Sequence, residues 1–222
     1  KTQQRALILE IEAFELSGVG LSEGPKKRLA DFNEQLSELS IRFENHVMDA
    51  TDRWFYQTDH ENLLTGLPTH VLENAKQLAS LHQQTGYRFG LDSPTVQAVL
   101  THACNRELRA LFYQAYTTRA SDQGPLSEQF DNSPVMVEML NLQAEKARIL
   151  GFPHYAALSL KTKMAQSVDQ VMPFLEDLLR RARPQALQEF AELTQFAKEL
   201  EGRKSLESWD VGYYSERMQE KL

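Results

Sequence analysis

The stretch KKRLADFNEQLSELSIRFENHVMDAT, residues 26–51, decides the fold class of this chain. Its apolar residues recur at spacings of three and four positions: Leu29, Phe32, Leu36, Leu39, Phe43 and Val47. Residues spaced in this way fall on one face of an α-helix. Pro25 fits the first turn, where its missing N–H has no partner in the helix. The stretch therefore predicts a long amphipathic helix with a single apolar stripe.

The same helical period extends over most of the remaining chain. We predict further helices at 68–82, from Pro94 on, at 105–120, at 135–150, from Ser167 to Gly202 and at 209–222, with Ser93, Ser167 and Ser208 as caps. Only the short segments 53–58 and 87–91 favour extended backbone. The sequence therefore predicts an all-α fold with well over half of the residues in helices.

Two features interrupt this helical pattern. Residues 121–134, SDQGPLSEQFDNSP, are polar and predict a loop. The chain is predicted as one helical segment, 1–222, with a boundary between two sub-segments in this loop. Pro173 and Pro184 lie inside the long helix predicted for 167–202. A proline removes one backbone donor and crowds the preceding turn, so we expect a kink or a break near each.

Composition excludes several classes of protein. The 222 residues carry a net charge of −7 and are 41% hydrophobic, which fits a folded protein and disfavours a nucleic-acid partner. No run approaches the 18 apolar residues of a membrane span, and Glu10 and Glu12 interrupt the apolar stretch near the start. Cys104 is the single cysteine, expected as a small buried hydrophobe, and these features together predict a cytoplasmic location.

The residues reveal no self-sufficient catalytic motif. A zinc-peptidase helix needs two histidines four positions apart, and HENLL at 60–64 has Leu64 where the second should stand. No histidine has a glutamate three positions before it, as di-iron bundles require. GLSEG at 20–24 matches a hydrolase nucleophile pattern but lacks the preceding strand. Taken alone, these residues predict no catalytic or metal-binding group.

Several stretches nevertheless resemble one family when taken together. They are FELSGVGL (14–21), LSELSIRFENHVMDAT (36–51), NRELRALFYQAYTTRASDQG (105–124), FDNS (130–133), LGFPHYAALSLKTKMA (150–165) and WDVGYYSER (209–217). In order and spacing they are similar to the bacterial branch of the thimet-oligopeptidase-like zinc metallopeptidases. The resemblance runs nearly end to end.

This resemblance implies a helical, two-lobed enzyme whose channel admits short unstructured peptides, including cleaved signal peptides, and excludes folded proteins. It implies a catalytic zinc held by a His-Glu-x-x-His motif and a further glutamate, expected beyond Leu222. The chain is then a scaffold and channel wall with no catalytic residue and no bound zinc of its own. Its expected partners are short peptides and the missing catalytic part.

The resemblance also suggests three candidate channel contacts: Arg119, Tyr213 and Tyr214. A competing interpretation is structural, with a buried Arg–carboxylate pair and packed tyrosines. For the whole chain, the alternative is a non-catalytic helical module for protein interaction. If the chain is instead part of a larger enzyme, we expect apolar side chains left uncovered on its surface.

Overall fold

The computed structural model describes residues 2–165 and 167–221. These residues form ten α-helices: α1 Thr2–Leu16, α2 Glu23–Arg53, α3 Thr69–Leu81, α4 Ser93–His102, α5 Arg106–Thr117, α6 Ser127–Phe130, α7 Ser133–Ile149, α8 Tyr155–Leu160, α9 Val168–Glu201 and α10 Ser208–Gln219. Strands β1 Tyr56–Thr58 and β2 Tyr87–Phe89 pair antiparallel, and a 3₁₀ turn spans Glu61–Leu64. The all-α prediction is confirmed.

The helix caps correct two details of the sequence prediction. Asp92, not Ser93, caps α4, because its carboxylate accepts a hydrogen bond from the Thr95 amide at 3.0 Å. Glu207, not Ser208, precedes α10, where it forms a reciprocal capping box with Asp210. In both places a carboxylate, one residue earlier than the serine, meets the free amides of the first turn.

Helix α9 is continuous from Val168 to Glu201, so the break expected near Pro173 or Pro184 does not occur. A proline removes only one of the many hydrogen bonds in a helix of 34 residues, and the rest can hold the helix together. A bend at Pro184 stays a prediction. Gly202 follows the helix with a φ of +71°, the left-handed conformation that commonly ends helices.

The chain divides into two compact units. The first comprises the residues up to Glu44 together with Ser133–Arg183, and the second comprises Asn45–Asn132 and the residues from Pro184 on. One passage between the units falls at the end of the segment 121–134, which contains the short helix α6. Among the described residues, no helix combines the length and the apolar composition that a membrane span needs.

The second unit contains a well-packed apolar core. It is built from α3, α4, α5 and the two strands, and its centre is Phe112, which is fully buried. The Phe112 ring meets Trp54, Tyr56 and Phe89 edge-on, with centroids 5.1, 6.0 and 6.2 Å apart. Edge-to-face aromatic contacts of this kind add to the energy of burial. This core supports helix α5, on which two of the site residues lie.

Candidate functional site

A buried carboxylate joins α10 to α5 within the second unit. Asp210 is fully buried and accepts hydrogen bonds from the Arg106 Nε and Nη2 atoms at 3.0–3.1 and 2.7 Å. It also accepts one from the Arg109 Nη2 atom at 3.0 Å. We call these three residues the Asp210 cluster. Two guanidinium groups on one carboxylate tie together helices about a hundred residues apart in sequence.

Local sequence explains how α5 presents both arginines. The Asn105 side chain caps the start of the helix, because its Oδ1 atom accepts hydrogen bonds from the amides of Glu107 and Leu108 at 3.0 and 3.2 Å. Arg106 and Arg109 are three positions apart, so they project from the same face of α5. The capping box fixes Asp210 at the start of α10, because the Glu207 amide donates to the Asp210 carboxylate at 3.0 Å.

Each guanidinium nitrogen of Arg109 donates a hydrogen bond, although the side chain is almost completely buried. In addition to Asp210, it donates to the carbonyls of Ala103, Cys104 and Trp209 at 2.7, 3.3 and 3.2 Å. A buried charge is tolerated when it is paired and hydrogen-bonded in this way. Arg109 therefore acts as a structural residue.

The ionisation of Asp210 makes the cluster sensitive to acid. Burial acts to raise the pKa of Asp210, but hydrogen bonds from Arg106, the Glu207 amide and Arg109 outweigh it and lower that pKa below 3.8. A carboxyl whose folded-state pKa is depressed stabilises the fold above its unfolded-state pKa. That stabilisation is lost as the pH falls through the folded-state pKa.

We therefore expect the free energy of unfolding to fall more steeply below about pH 4 in the wild type than in Asp210→Asn. Urea unfolding curves between pH 3 and pH 7 measure both slopes. Equal slopes for the two proteins would show that Asp210 ionises alike in the folded and unfolded states.

Tyr213 and Tyr214 are both buried, and they share one acceptor. Their hydroxyls donate to the Glu201 carboxylate at 3.3 and 2.7 Å, respectively. Burial, then the nearby Cys104 and Glu201, raise the pKa of Tyr213 to about 12. Burial and the Glu201 hydrogen bond likewise raise the pKa of Tyr214. Both phenols therefore stay protonated near neutral pH and hold the carboxylate of Glu201, an exposed residue, in a fixed position.

Arg119 lies apart from this arrangement. Its guanidinium stacks on the Tyr116 ring at 3.9 Å and donates from Nη1 to the Tyr116 carbonyl. Its Nε atom is buried without a hydrogen-bond partner, and none of the ion pairs among the described residues includes Arg119. The buried Arg–carboxylate pair considered in the sequence is therefore made by Arg109, and the half-buried Arg119 keeps an unpaired charge.

The backbone beside Arg119 is held in an uncommon conformation. Ala120 has a φ of +53°, in the left-handed region that residues with a side chain seldom adopt. Its carbonyl accepts the amide of Asn132 at 3.1 Å, and the buried Asn132 side chain meets His46 Nδ1 at 2.8 Å. The segment Thr117–Ser121 (TTRAS) is thus anchored from the far end of the loop. Sequence reasoning did not find this anchor, because no local pattern links His46 to Asn132.

One further sequence expectation is contradicted by the structure. Cys104 is exposed, so its prediction as a buried residue is wrong. It directly follows the buried Ala103 at the end of α4, where the chain turns towards the surface. Glu189 and Glu192 are exposed on α9 and accept hydrogen bonds from Gln185 and Gln188, each at 2.9 Å.

The family resemblance implies a zinc site, which requires several ligand side chains close together. No group of three histidine, cysteine, aspartate or glutamate side chains among the described residues is arranged to hold a metal ion. Catalytic zinc needs about three converging protein ligands. The described residues therefore do not fit a zinc site, and no zinc-dependent step is assigned to them.

Comparison with known proteins gives the class and then the family. The profile of peptidase family M3 matches residues 99–222. Oligopeptidase A of Salmonella typhimurium and that of Escherichia coli are each 44% identical over 220 residues, covering 99% of this chain and 32% of the relative. A probable cytosolic oligopeptidase A of Arabidopsis thaliana is 32% identical over 229 residues, with the same coverage. These matches place the chain among the peptidases.

The chain belongs to peptidase family M3. It spans about a third of the length of the curated relatives it matches. The family resemblance drawn from the quoted motifs is therefore confirmed.

Proposed function

We propose that this chain forms scaffold and channel wall of a zinc-dependent metalloendopeptidase that hydrolyses short, unstructured peptides in the cytoplasm. The observation that carries the proposal is the 44% identity to oligopeptidase A over 99% of the chain. The cytosolic description of the Arabidopsis relative supports the location. When bound in the longer enzyme, the zinc would activate water for attack on a peptide carbonyl.

Within this proposal the Asp210 cluster supplies rigidity. Its hydrogen bonds fix α10 on α5, and α10 presents Tyr213 and Tyr214 to Glu201. The two tyrosines would then serve the channel through Glu201, because their own rings are buried. A carboxylate fixed by two hydroxyls is suited to attract a cationic group of a peptide, such as its amino terminus.

Arg119 is the proposed direct contact to substrate. Its guanidinium is pre-oriented on the Tyr116 ring, and among the described residues it has no carboxylate partner. A guanidinium in this state can donate hydrogen bonds to a peptide carbonyl or carboxylate without first breaking an ion pair.

The assay that tests the proposed function uses a quenched fluorescent peptide. We expect no turnover by the 222-residue chain and chelator-sensitive turnover by the longest polypeptide that its gene encodes, with folded substrates left uncut. Chelator-sensitive turnover by the 222-residue chain alone would mean that catalysis is assigned to the wrong part. Absence of turnover by the longer polypeptide would favour the alternative, a non-catalytic helical interaction module.

A second measurement tests Arg119. In the longer polypeptide we expect Arg119→Gln to raise KM roughly tenfold, which corresponds to the loss of one charge-assisted hydrogen bond. The matched control is Arg53→Gln, because Arg53 is exposed and its guanidinium also lies over an aromatic ring, that of Phe130 at 4.9 Å. Equal KM values for Arg119→Gln, Arg53→Gln and the wild type would remove Arg119 from the substrate path.

A further inference from the structure

The two units differ sharply in how they bury apolar side chains. Of the 27 buried apolar residues in the described part of the chain, 22 lie in the second unit. The first unit has only Leu29, Leu39, Val135, Ala147 and Leu158. All three clusters of buried apolar residues within the described ranges also belong to the second unit. The first unit therefore lacks a core of its own.

Exposed apolar side chains show the opposite distribution. Of the 24 large apolar residues exposed in the described part of the chain, 16 belong to the first unit. Six of them repeat at helical spacing on two helices, Leu7, Ile11 and Phe14 on α1 and Leu175, Leu178 and Leu179 on α9. We call these six residues the uncovered set. From Met172 to Arg183 every residue of α9 except Asp177 is exposed, so this part of the helix packs on almost nothing.

Such a distribution is unfavourable for a unit that stands alone. Ordering a residue costs about 1–2 kcal/mol of backbone entropy, and burying a leucine or phenylalanine returns about 1.5–3 kcal/mol. Five buried apolar residues do not offset the ordering of five helical segments. Amphipathic helices gain their stability from packing of the apolar face. The apolar face of α9 therefore needs a partner to pack against.

The length of the relatives indicates what that partner is. Each oligopeptidase A matched along this chain is about three times as long, because the chain covers 32% of it. We propose that the uncovered set is an internal interface, on which polypeptide from elsewhere in the same M3 peptidase packs and completes the core of the first unit. This inference rests on the proposed function, and it names the surface through which the wall segment joins the rest of the enzyme.

A groove in the same unit is a second surface on which such a polypeptide segment can pack. It lies between α2 and α7, has a volume of about 420 Å³, and is lined by Phe43, Met136, Met139 and Leu140. Its lining is mostly apolar, with Ser40, Glu44 and Gln143 as the polar members. Methionine-rich surfaces adapt well to a packing partner.

Cysteine labelling tests the proposal without disturbing the fold. In a Cys104→Ser background, which removes the exposed native thiol, we compare Leu179→Cys with Leu81→Cys. Leu81 is the matched control, because it is a leucine in the second unit whose exposed fraction is 80%. Both variants are made in the 222-residue chain and in the longest polypeptide that the gene encodes, and maleimide reaction rates are measured.

We expect both cysteines to react at similar rates in the 222-residue chain. In the longer polypeptide we expect Leu179→Cys to react at least about tenfold more slowly, with Leu81→Cys unchanged. Equal reactivity of Leu179→Cys in both proteins overturns the proposal. Protection of Leu179→Cys already in the 222-residue chain also overturns it. If protection in the 222-residue chain increases with protein concentration, the surface is covered by a second copy. If that protection does not change with concentration, the chain itself covers the surface.

The outcome is separable from that of the proposed function. Peptide turnover is measured on the unlabelled longer polypeptide, and labelling reports only whether position 179 is covered. Protection of Leu179→Cys without turnover would retain the interface and reject the peptidase activity, whereas turnover without protection would do the reverse.

Discussion

Asp210→Ala is expected to lower the free energy of unfolding by about 3–5 kcal/mol, because it leaves a buried guanidinium without its counter-charge. Arg109 is 1% exposed, and Asp210 is its only carboxylate partner among the described residues. Arg106 also loses its three hydrogen bonds to Asp210. The variant loses the capping box at the start of α10 as well, since the Glu207 amide has no acceptor. Urea unfolding followed by circular dichroism measures the change.

Asp49→Ala is the control for this prediction. Asp49 pairs with Arg53 at 3.8 Å on the exposed part of α2, and its loss is expected to cost less than about 1 kcal/mol. The double variant Asp210→Ala with Arg109→Met tests the cause, because it removes the unpaired charge as well. We expect it to recover part of the lost stability. A double variant less stable than Asp210→Ala would contradict the role of the unpaired charge.

Phe112→Ala is expected to destabilise the chain by about 3–5 kcal/mol, the usual cost of emptying a buried phenylalanine site. The Phe112 side chain is fully buried, and three aromatic rings meet it edge-on. These rings belong to Trp54 and to the two strands, so they cannot all move into the space that alanine leaves. The loss should appear as a lower urea midpoint with an unchanged slope.

The neighbouring Leu111→Ala is the matched control, because Leu111 lies on the same helix and is exposed. Its substitution is expected to change the free energy of unfolding by less than about 1 kcal/mol. A similar loss in the two variants would mean that α5 tolerates neither change and that the aromatic core is not the cause.

Local sequence was sufficient to predict most of the secondary structure. The apolar spacing at 26–51 predicted the helix that the structure has at Glu23–Arg53, and the helical period after Asn105 predicted α5. These features depend on residues a few positions apart, whose positions relative to one another are set by the helix itself. The motif resemblance likewise needed only order and spacing, and it led to the correct family.

The predictions that failed concern the environment of a side chain rather than its neighbours in sequence. Cys104 has an apolar residue type yet lies at the surface. The break considered at Pro184 does not occur, because α9 is continuous there. The arginine buried against a carboxylate is Arg109, whereas the sequence had drawn attention to Arg119. Nothing within a few positions distinguishes the two arginines, because what separates them is which helix packs against α5.

By itself, therefore, the sequence determined the helical class, the long helix α2 and the membership of peptidase family M3. Only the tertiary structure decided that Asp210 meets Arg106 and Arg109, that Tyr213 and Tyr214 share Glu201, and that the first unit is left without a core. The physical reason is range. Periodicity and capping act through one or two helical turns, whereas these pairings join residues brought together only when separate helices pack.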